Sequence, residues 1–180
     1  METFYINVTR REVAIMNYEI KEILEQDLEK CAEVIREGFS TVAKDFRLTM
    51  ENCPTNGAFI KKERLEAERE KGQLMFGMMD GSQIIGFMQL EKNNDELYFL
   101  QKLVVLPQFR HLGLGKKQLD YIKDKVEQLG GKRVSISIIE ENTVLKNWYL
   151  AYGFQVTGTR KFEHLPFTVG FMELVIGNKA

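Results

Sequence analysis

Long apolar runs are missing from this chain. None approaches the roughly 18 residues that a membrane helix needs, so helical membrane anchoring is not expected. No charge of one sign dominates either. Lys and Arg total 25 against 26 Asp and Glu, for a net charge of -1. That balance argues against a nucleic-acid binder relying on broad electrostatics. Cysteine is scarce, with only Cys31 and Cys53. The opening residues, METFYINVTRREVAIM, show no basic segment followed by an apolar stretch, so no signal peptide is expected. The expected compartment is the cytoplasm, where a disulfide would be unusual. No internal repeat and no low-complexity linker interrupts the chain.

What is present is ordinary for a globular protein: 180 residues, 44% hydrophobic and 28% charged. Such a length predicts one domain with a sizeable core. Alternation over Tyr18–Ile23 predicts a short strand. Leu28, Cys31, Ala32, Ile35 and Phe39 recur at helical spacing and predict about three turns. Residues 45–54 read as irregular. Thr55 or Asn56 is a candidate cap for a second, heavily charged helix ending near Gly72. Residues 74–79 and 84–90 read as strands joined by Asp80-Gly81-Ser82, which is hairpin chemistry. Residues 96–106 read as a central strand, interrupted by the polar pair Gln101-Lys102. Leu119, Ile122, Val126 and Leu129 form the buried stripe of the next helix, stopped at Gly130-Gly131. A strand through Val134, Ile136 and Ile138, a short helix over 142–152 and two last strands around 155–162 and 167–176 complete the order. The expected class is mixed α/β (α+β), with a partly parallel sheet of about six to seven strands and about four helices. Residues 1–15 read as an N-terminal extension or an extra edge strand before a single domain over 16–180.

The segment Arg110-His111-Leu112-Gly113-Leu114-Gly115 joins the central strand to a helix. Such a turn leaves amides unpaired at a positive helix end and invites an anion. The dinucleotide fingerprint needs a third glycine, but Gln118 stands there. The Walker loop needs Ser or Thr after its lysine, but Lys117 follows Lys116. The third pattern, Arg or Gln, two residues, Gly, one residue, Gly or Ala, fits throughout. Taken alone, the hexapeptide is equally compatible with a glycine-rich connection that binds nothing.

The run from Val105 to Lys116 resembles the signature of the GNAT superfamily of N-acetyltransferases. Asn142-Thr143-Val144-Leu145-Lys146-Asn147-Trp148-Tyr149-Leu150-Ala151-Tyr152-Gly153-Phe154 is similar to the second motif of that superfamily, and the order of elements from Tyr18 to Ile176 is similar to its fold. The resemblance implies acetyl-CoA as co-substrate, no metal, and direct transfer of acetyl to a primary amine without a covalent enzyme intermediate. It places the pyrophosphate on the amides of Arg110, His111, Leu112, Gly113, Leu114, Gly115 and Lys116. It pairs Leu103, Val104 and Val105 with the pantetheine arm, which enters where a bulge splays this strand from the next. Asn142 would bond the arm, an N–H near Val104 would polarise the carbonyl, and Tyr149 would be the general acid. A homodimer is a further expectation.

A lysine-like amine costs roughly 4–5 kcal/mol to deprotonate at pH 7, so a base or water is wanted. Many members carry a carboxylate where this chain has Phe99. Glu96 falls on the opposite face of an ideal strand. Glu140, Glu141 and His164 remain candidates, and Glu141 is put forward as the base. Cys31 is expected in the core, Cys53 as a loop thiol, and Trp148 and Tyr152 as packing residues. Residues 61–71 are expected to form a solvated helix face, and Asp45, Phe46 and Arg47 to border the acceptor. Two other readings remain: a CoA-binding sensor or scaffold without turnover, and a phosphate binder unrelated to CoA.

Overall fold

The computed structural model describes residues 18–177. The expected N-terminal extension or edge strand, residues 1–15, lies outside them. The elements are β1 (Tyr18–Glu22), α1 (Leu28–Asp45), α2 (Lys62–Glu70), β2 (Leu74–Asp80), β3 (Gln83–Lys92), β4 (Leu97–Val105), α3 (Leu114–Gln128), β5 (Arg133–Ile139), α4 (Thr143–Tyr152), β6 (Gln155–Lys161) and β7 (Thr168–Val175). The strands form one 7-stranded sheet in the order β1-β2-β3-β4-β5-β7-β6. Every neighbouring pair is antiparallel except β4 and β5, which run parallel. The expected mixed, partly parallel sheet with four helices is therefore present. Among the described residues no helix is long and apolar enough to cross a membrane.

Two cores follow from the alternation of strand side chains. On one face, Leu28, Cys31, Ile35 and Leu65 from α1 and α2 pack on Met78, Ile85 and Phe87. On the other, Leu119, Ile122 and Val126 from α3 and Tyr149 from α4 pack on Met88, Leu100, Val134, Ile136 and Met172.

Several local expectations shift. α1 runs for 18 residues rather than about three turns. Ser40 and Thr41 do not stop it, because their hydroxyls donate back to Glu37 O and Gly38 O. Asn56 caps a short 3-10 turn at Gly57–Phe59, accepting from Ala58 N at 2.9 Å, and not α2. Leu129 is 41% exposed because α3 ends one residue earlier. Cys53 is buried: the irregular stretch folds back, so that Cys53, Ala43 and Leu48 pack with Ile139 and Phe167. Trp148 and Tyr152 sit half-buried at the core's edge.

Candidate active site

β4 and β5 pair only at Leu97–Arg133, Tyr98–Val134 and Phe99–Ser135. Beyond Phe99 the strands diverge, and β5 continues paired to β7 alone. The β5 side of β4 from Leu100 to Val105 is therefore an open strand edge inside a sheet, a ready partner for an extended ligand. The cause is visible on β4's other side. Phe87 pairs with Val104 and Gln89 with Gln101, so Lys102 and Leu103 both stand against Met88. This is a β-bulge, which bends the strand that carries it. Lys102 adopts φ +51° there, unusual for a side-chain-bearing residue.

Lys102 is held in that conformation by its own ammonium. Nζ lies 2.7 Å from Glu68 Oε2 on α2, 3.2 Å from Gln89 Oε1 and 3.4 Å from Gln101 Oε1. The side chains of Lys102 and Glu68 are only 9% and 12% exposed. Gln89 is fully buried and donates to Glu68 and to Gln73. Burial pushes the Glu68 carboxyl up, but Lys102, Gln89 and Arg64 outweigh it and hold the group below the ordinary carboxylate value. Burial also pulls the Lys102 ammonium down, while the Glu68 carboxylate opposes it. In the sequence Lys102 stands out only as a polar interruption of an apolar strand. Its partner is 34 residues away.

Ladder alternation fixes which amides face the opening. Leu106 N–H donates to Ile85 O at 2.9 Å, toward β3. Hydrogen-bonded pairs alternate along an antiparallel ladder. Val104, opposite Phe87, therefore also faces β3, whereas Val105, opposite Gly86, faces the open edge. The carbonyl of Val105 accepts from Arg110 Nε at 3.2 Å. The donor expected near Val104 is thus offered by Val105, because Val104's own N–H turns toward β3.

The glycine turn follows. His111 and Gly113 take φ +64° and +78°, and Gly113 caps α3. Among the described residues the amides of His111 through Lys116 have no acceptor, and the first amide of this helix to find one is that of Lys117, on Gly113 O. Arg110's amide is not part of the set, since it donates to Pro107 O at 3.2 Å. Nor does its guanidinium face the turn. It ties the end of β4 to α1 through Gly38 O at 2.8 Å and Thr41 Oγ1 at 3.1 Å. A Cβ at Gly113 would meet nothing within 4 Å, whereas one at Gly115 would lie 3.1 Å from the Trp148 ring. Gly115 thus makes room for Trp148, which braces α4 against α3. Lys116 Nζ is exposed and pairs with Asp120 at 2.7 Å.

α4 forms the other lip. Asn142 Oδ1 accepts from Leu145 N at 3.1 Å as the helix cap, leaving its amide NH2 as a donor. Tyr149 is 5% exposed, between Trp148 and Phe154 at ring distances of 4.9 and 5.2 Å. Its hydroxyl has no partner among the described residues. Burial pushes its pKa up, so the phenol keeps its proton at neutral pH.

The candidate bases separate. Glu96 lies at the far end of β4, paired with Lys132. His164 is exposed in the β6–β7 turn, beside Phe162. Both oxygens of Glu141 accept from Thr168 N, at 3.0 and 3.2 Å. Slight desolvation opposes these bonds, but they hold the carboxyl below its ordinary value, which makes it a weak base. Glu140 bonds Lys146 through Oε1, while Oε2 is buried without a partner. Phe99 is the last β4 residue paired to β5.

An unpaired strand edge, a row of free amides at a helix start and a protonated phenol suit an extended, amide-bearing ligand ending in phosphates. Comparison with known proteins gives a family and a fold. Residues 44–174 match the model of the acetyltransferase (GNAT) domain. The fold is similar to the ribosomal-protein-S18-alanine N-acetyltransferase of Escherichia coli, at 15% identity and TM-score 0.72 over 91% of this chain and 99% of that one. It is similar to the PaiA N-acetyltransferase of Thermoplasma acidophilum in complex with coenzyme A, at 23% identity and TM-score 0.72 over 89% and 99%. It is also similar to YncA of Salmonella typhimurium with its cofactor acetyl-CoA, at 18% identity and TM-score 0.64 over 91% and 96%.

Proposed function

We propose, since this chain belongs to the GNAT acetyltransferase family, that it transfers acetyl from acetyl-CoA directly to a primary amine within a ternary complex. The observation that carries this reading is the continuity between the open β4 edge and the free amides of the glycine turn. Together they offer hydrogen bonds along a path that an amide-bearing arm and a pyrophosphate would follow.

The amides of His111, Leu112, Gly113, Leu114, Gly115 and Lys116 receive the pyrophosphate, and the α3 dipole favours its charge. Leu103, Val104 and Val105 form the wall along which the arm lies, with Val105 N–H as the donor that faces it. Asn142 donates its side-chain amide to the arm. Acetyl-CoA supplies the activated acyl group as a thioester. Tyr149, kept protonated by burial, donates its proton to the departing thiolate. Glu141 takes the base's place at the end of β5. Because its carboxyl is held low, water shares the removal of the amine's proton. Acceptors in reach of this chemistry are small-molecule amines and protein or peptide amines.

The test is release of free thiol from acetyl-CoA across a panel of amines. Wild type is expected to turn over with at least one acceptor class. Tyr149→Phe should cut kcat by about 100- to 10,000-fold, the usual range for a general acid, while acetyl-CoA affinity stays within about twofold. Equal loss of affinity and turnover would remove Tyr149 from its role. Tight acetyl-CoA binding with no turnover on any amine would favour the sensor reading, which Phe99 in place of a carboxylate motivates.

A further inference from the structure

Gln118 is fully buried on α3, between apolar neighbours, and its Oε1 has no hydrogen-bond partner. A buried acceptor without a donor is destabilising. An apolar residue here would extend the surface of Leu114, Leu119 and Ile122 and leave nothing unsatisfied. Stability alone therefore argues against glutamine at this position. What its other end does supplies a reason for it. Nε2 donates to Val104 O at 3.2 Å and lies 3.4 Å from Phe87 O. These two carbonyls belong to one hydrogen-bonded ladder pair, and each has a second lone pair to offer. Gly86 makes the approach possible. A Cβ there would lie 2.8 Å from both Gln118 Nε2 and Val104 O.

The carbonyl of Val104 and the N–H of Val105 are two ends of one planar peptide. That N–H faces the open β4 edge. A donor on the carbonyl fixes the tilt of the plane and strengthens the N–H as a donor, since hydrogen bonds in a chain polarise one another. We infer that Gln118 is a positioning residue for the thioester-bearing ligand: through Val104 O it aims and polarises the Val105 N–H at the slot, at a cost in stability. The inference rests on the slot being the acetyl-CoA site. Its structural half, the coupling of Gln118 to the Val105 amide, does not.

The test uses Gln118→Met, which keeps the volume, with Gln118→Leu as a second variant. Thermal unfolding, acetyl-CoA affinity by calorimetry and the Val105 amide signal by 15N NMR are measured for each. The expected result is an unfolding midpoint equal to or above wild type, with acetyl-CoA binding weakened about fivefold, which corresponds to about 1 kcal/mol, the net worth of one hydrogen bond. The Val105 amide proton should move upfield in the free protein. Binding unchanged within twofold in a folded variant would overturn the inference. A lower midpoint with a proportionate loss of binding would also overturn it, by reducing Gln118 to a core residue. If wild type itself binds no acetyl-CoA, the acetyltransferase reading fails separately, and an unmoved Val105 signal would still refute the coupling.

Discussion

Replacing Lys102 with Met tests the device that opens the sheet. The substitution removes an ammonium that is 9% exposed and lies 2.7 Å from Glu68, itself 12% exposed. Met refills the volume of the stem, so the cost is electrostatic and not a cavity. Glu68 is left with Gln89 Nε2 at 3.1 Å and Arg64 Nε at 3.0 Å. Removing one partner of a buried pair costs about 3–5 kcal/mol. Arg64, 44% exposed, still neutralises part of the charge, so the expected loss is about 2–3 kcal/mol. For a chain of this size that lowers the unfolding midpoint by about 4–12 °C. Urea titration followed by circular dichroism measures the free energy directly. Pairing the change with Glu68→Gln should recover at least about 1 kcal/mol relative to the sum of the single changes, since the two groups touch. The pH dependence has a definite sign. A depressed carboxyl stabilises above its unfolded pKa and loses that contribution as pH falls through the folded value. Wild type should therefore weaken on acidification below about pH 4–5, and Lys102→Met should weaken less over that window. A loss under about 0.5 kcal/mol, the size of an exposed pair, or strict additivity with Glu68→Gln, would refute this account of the bulge.

Other outcomes follow from single residues. Gly113→Ala imposes φ +78° on a residue with a Cβ, and that Cβ meets nothing. The cost is therefore backbone alone, about 1–2 kcal/mol by urea titration, with weaker acetyl-CoA binding as the turn relaxes. Glu141 is held below its ordinary carboxylate value, so it is ionised throughout the neutral range. Profiles of kcat/KM should then rise from pH 6 to 9 with the acceptor amine's own ionisation, and an inflection removed by Glu141→Gln would contradict that. Both cysteines are buried, with Cys31 pushed up to about 12 and Cys53 also raised, each chiefly by desolvation. Thiol titration of the native protein should find neither, and the unfolded chain should show both.

Local patterns carried the fold because each reports on its own neighbourhood. The strand–turn–helix at Arg110–Gly115 and the Asn142-to-Gly153 helix were legible, since capping, glycine spacing and apolar periodicity act within a few residues. The bulge left only a trace, the polar Gln101-Lys102 pair. Its explanation lies in Glu68 on a different helix, and no short window contains both. Arg110 illustrates the opposite failure. The glycine pattern places its amide on the pyrophosphate, yet that amide donates to Pro107 O and the guanidinium binds Gly38 and Thr41 of α1. At Gly115 the bare backbone also gives room to Trp148, a ring 3.1 Å from where a Cβ would lie and more than thirty residues away in sequence. Gln118 stands out in the sequence only where a dinucleotide fingerprint would have glycine, because burial and carbonyl partners are invisible until α3 is laid on the sheet. Cys53 is a loop thiol, as its irregular surroundings predict, but its burial is not legible locally, because Ala43, Leu48 and Phe167 close over it.

The most direct test of the central claim is thermal unfolding of the protein with and without acetyl-CoA, with ATP as the control ligand. At a hundred times the dissociation constant a specific ligand adds about 2.7 kcal/mol, which raises the midpoint of a chain this size by roughly 5–11 °C. The account predicts that rise with acetyl-CoA and none with ATP at equal concentration. No rise with acetyl-CoA, or an equal rise with both, would contradict it and leave the glycine turn as a plain connection or a general phosphate site.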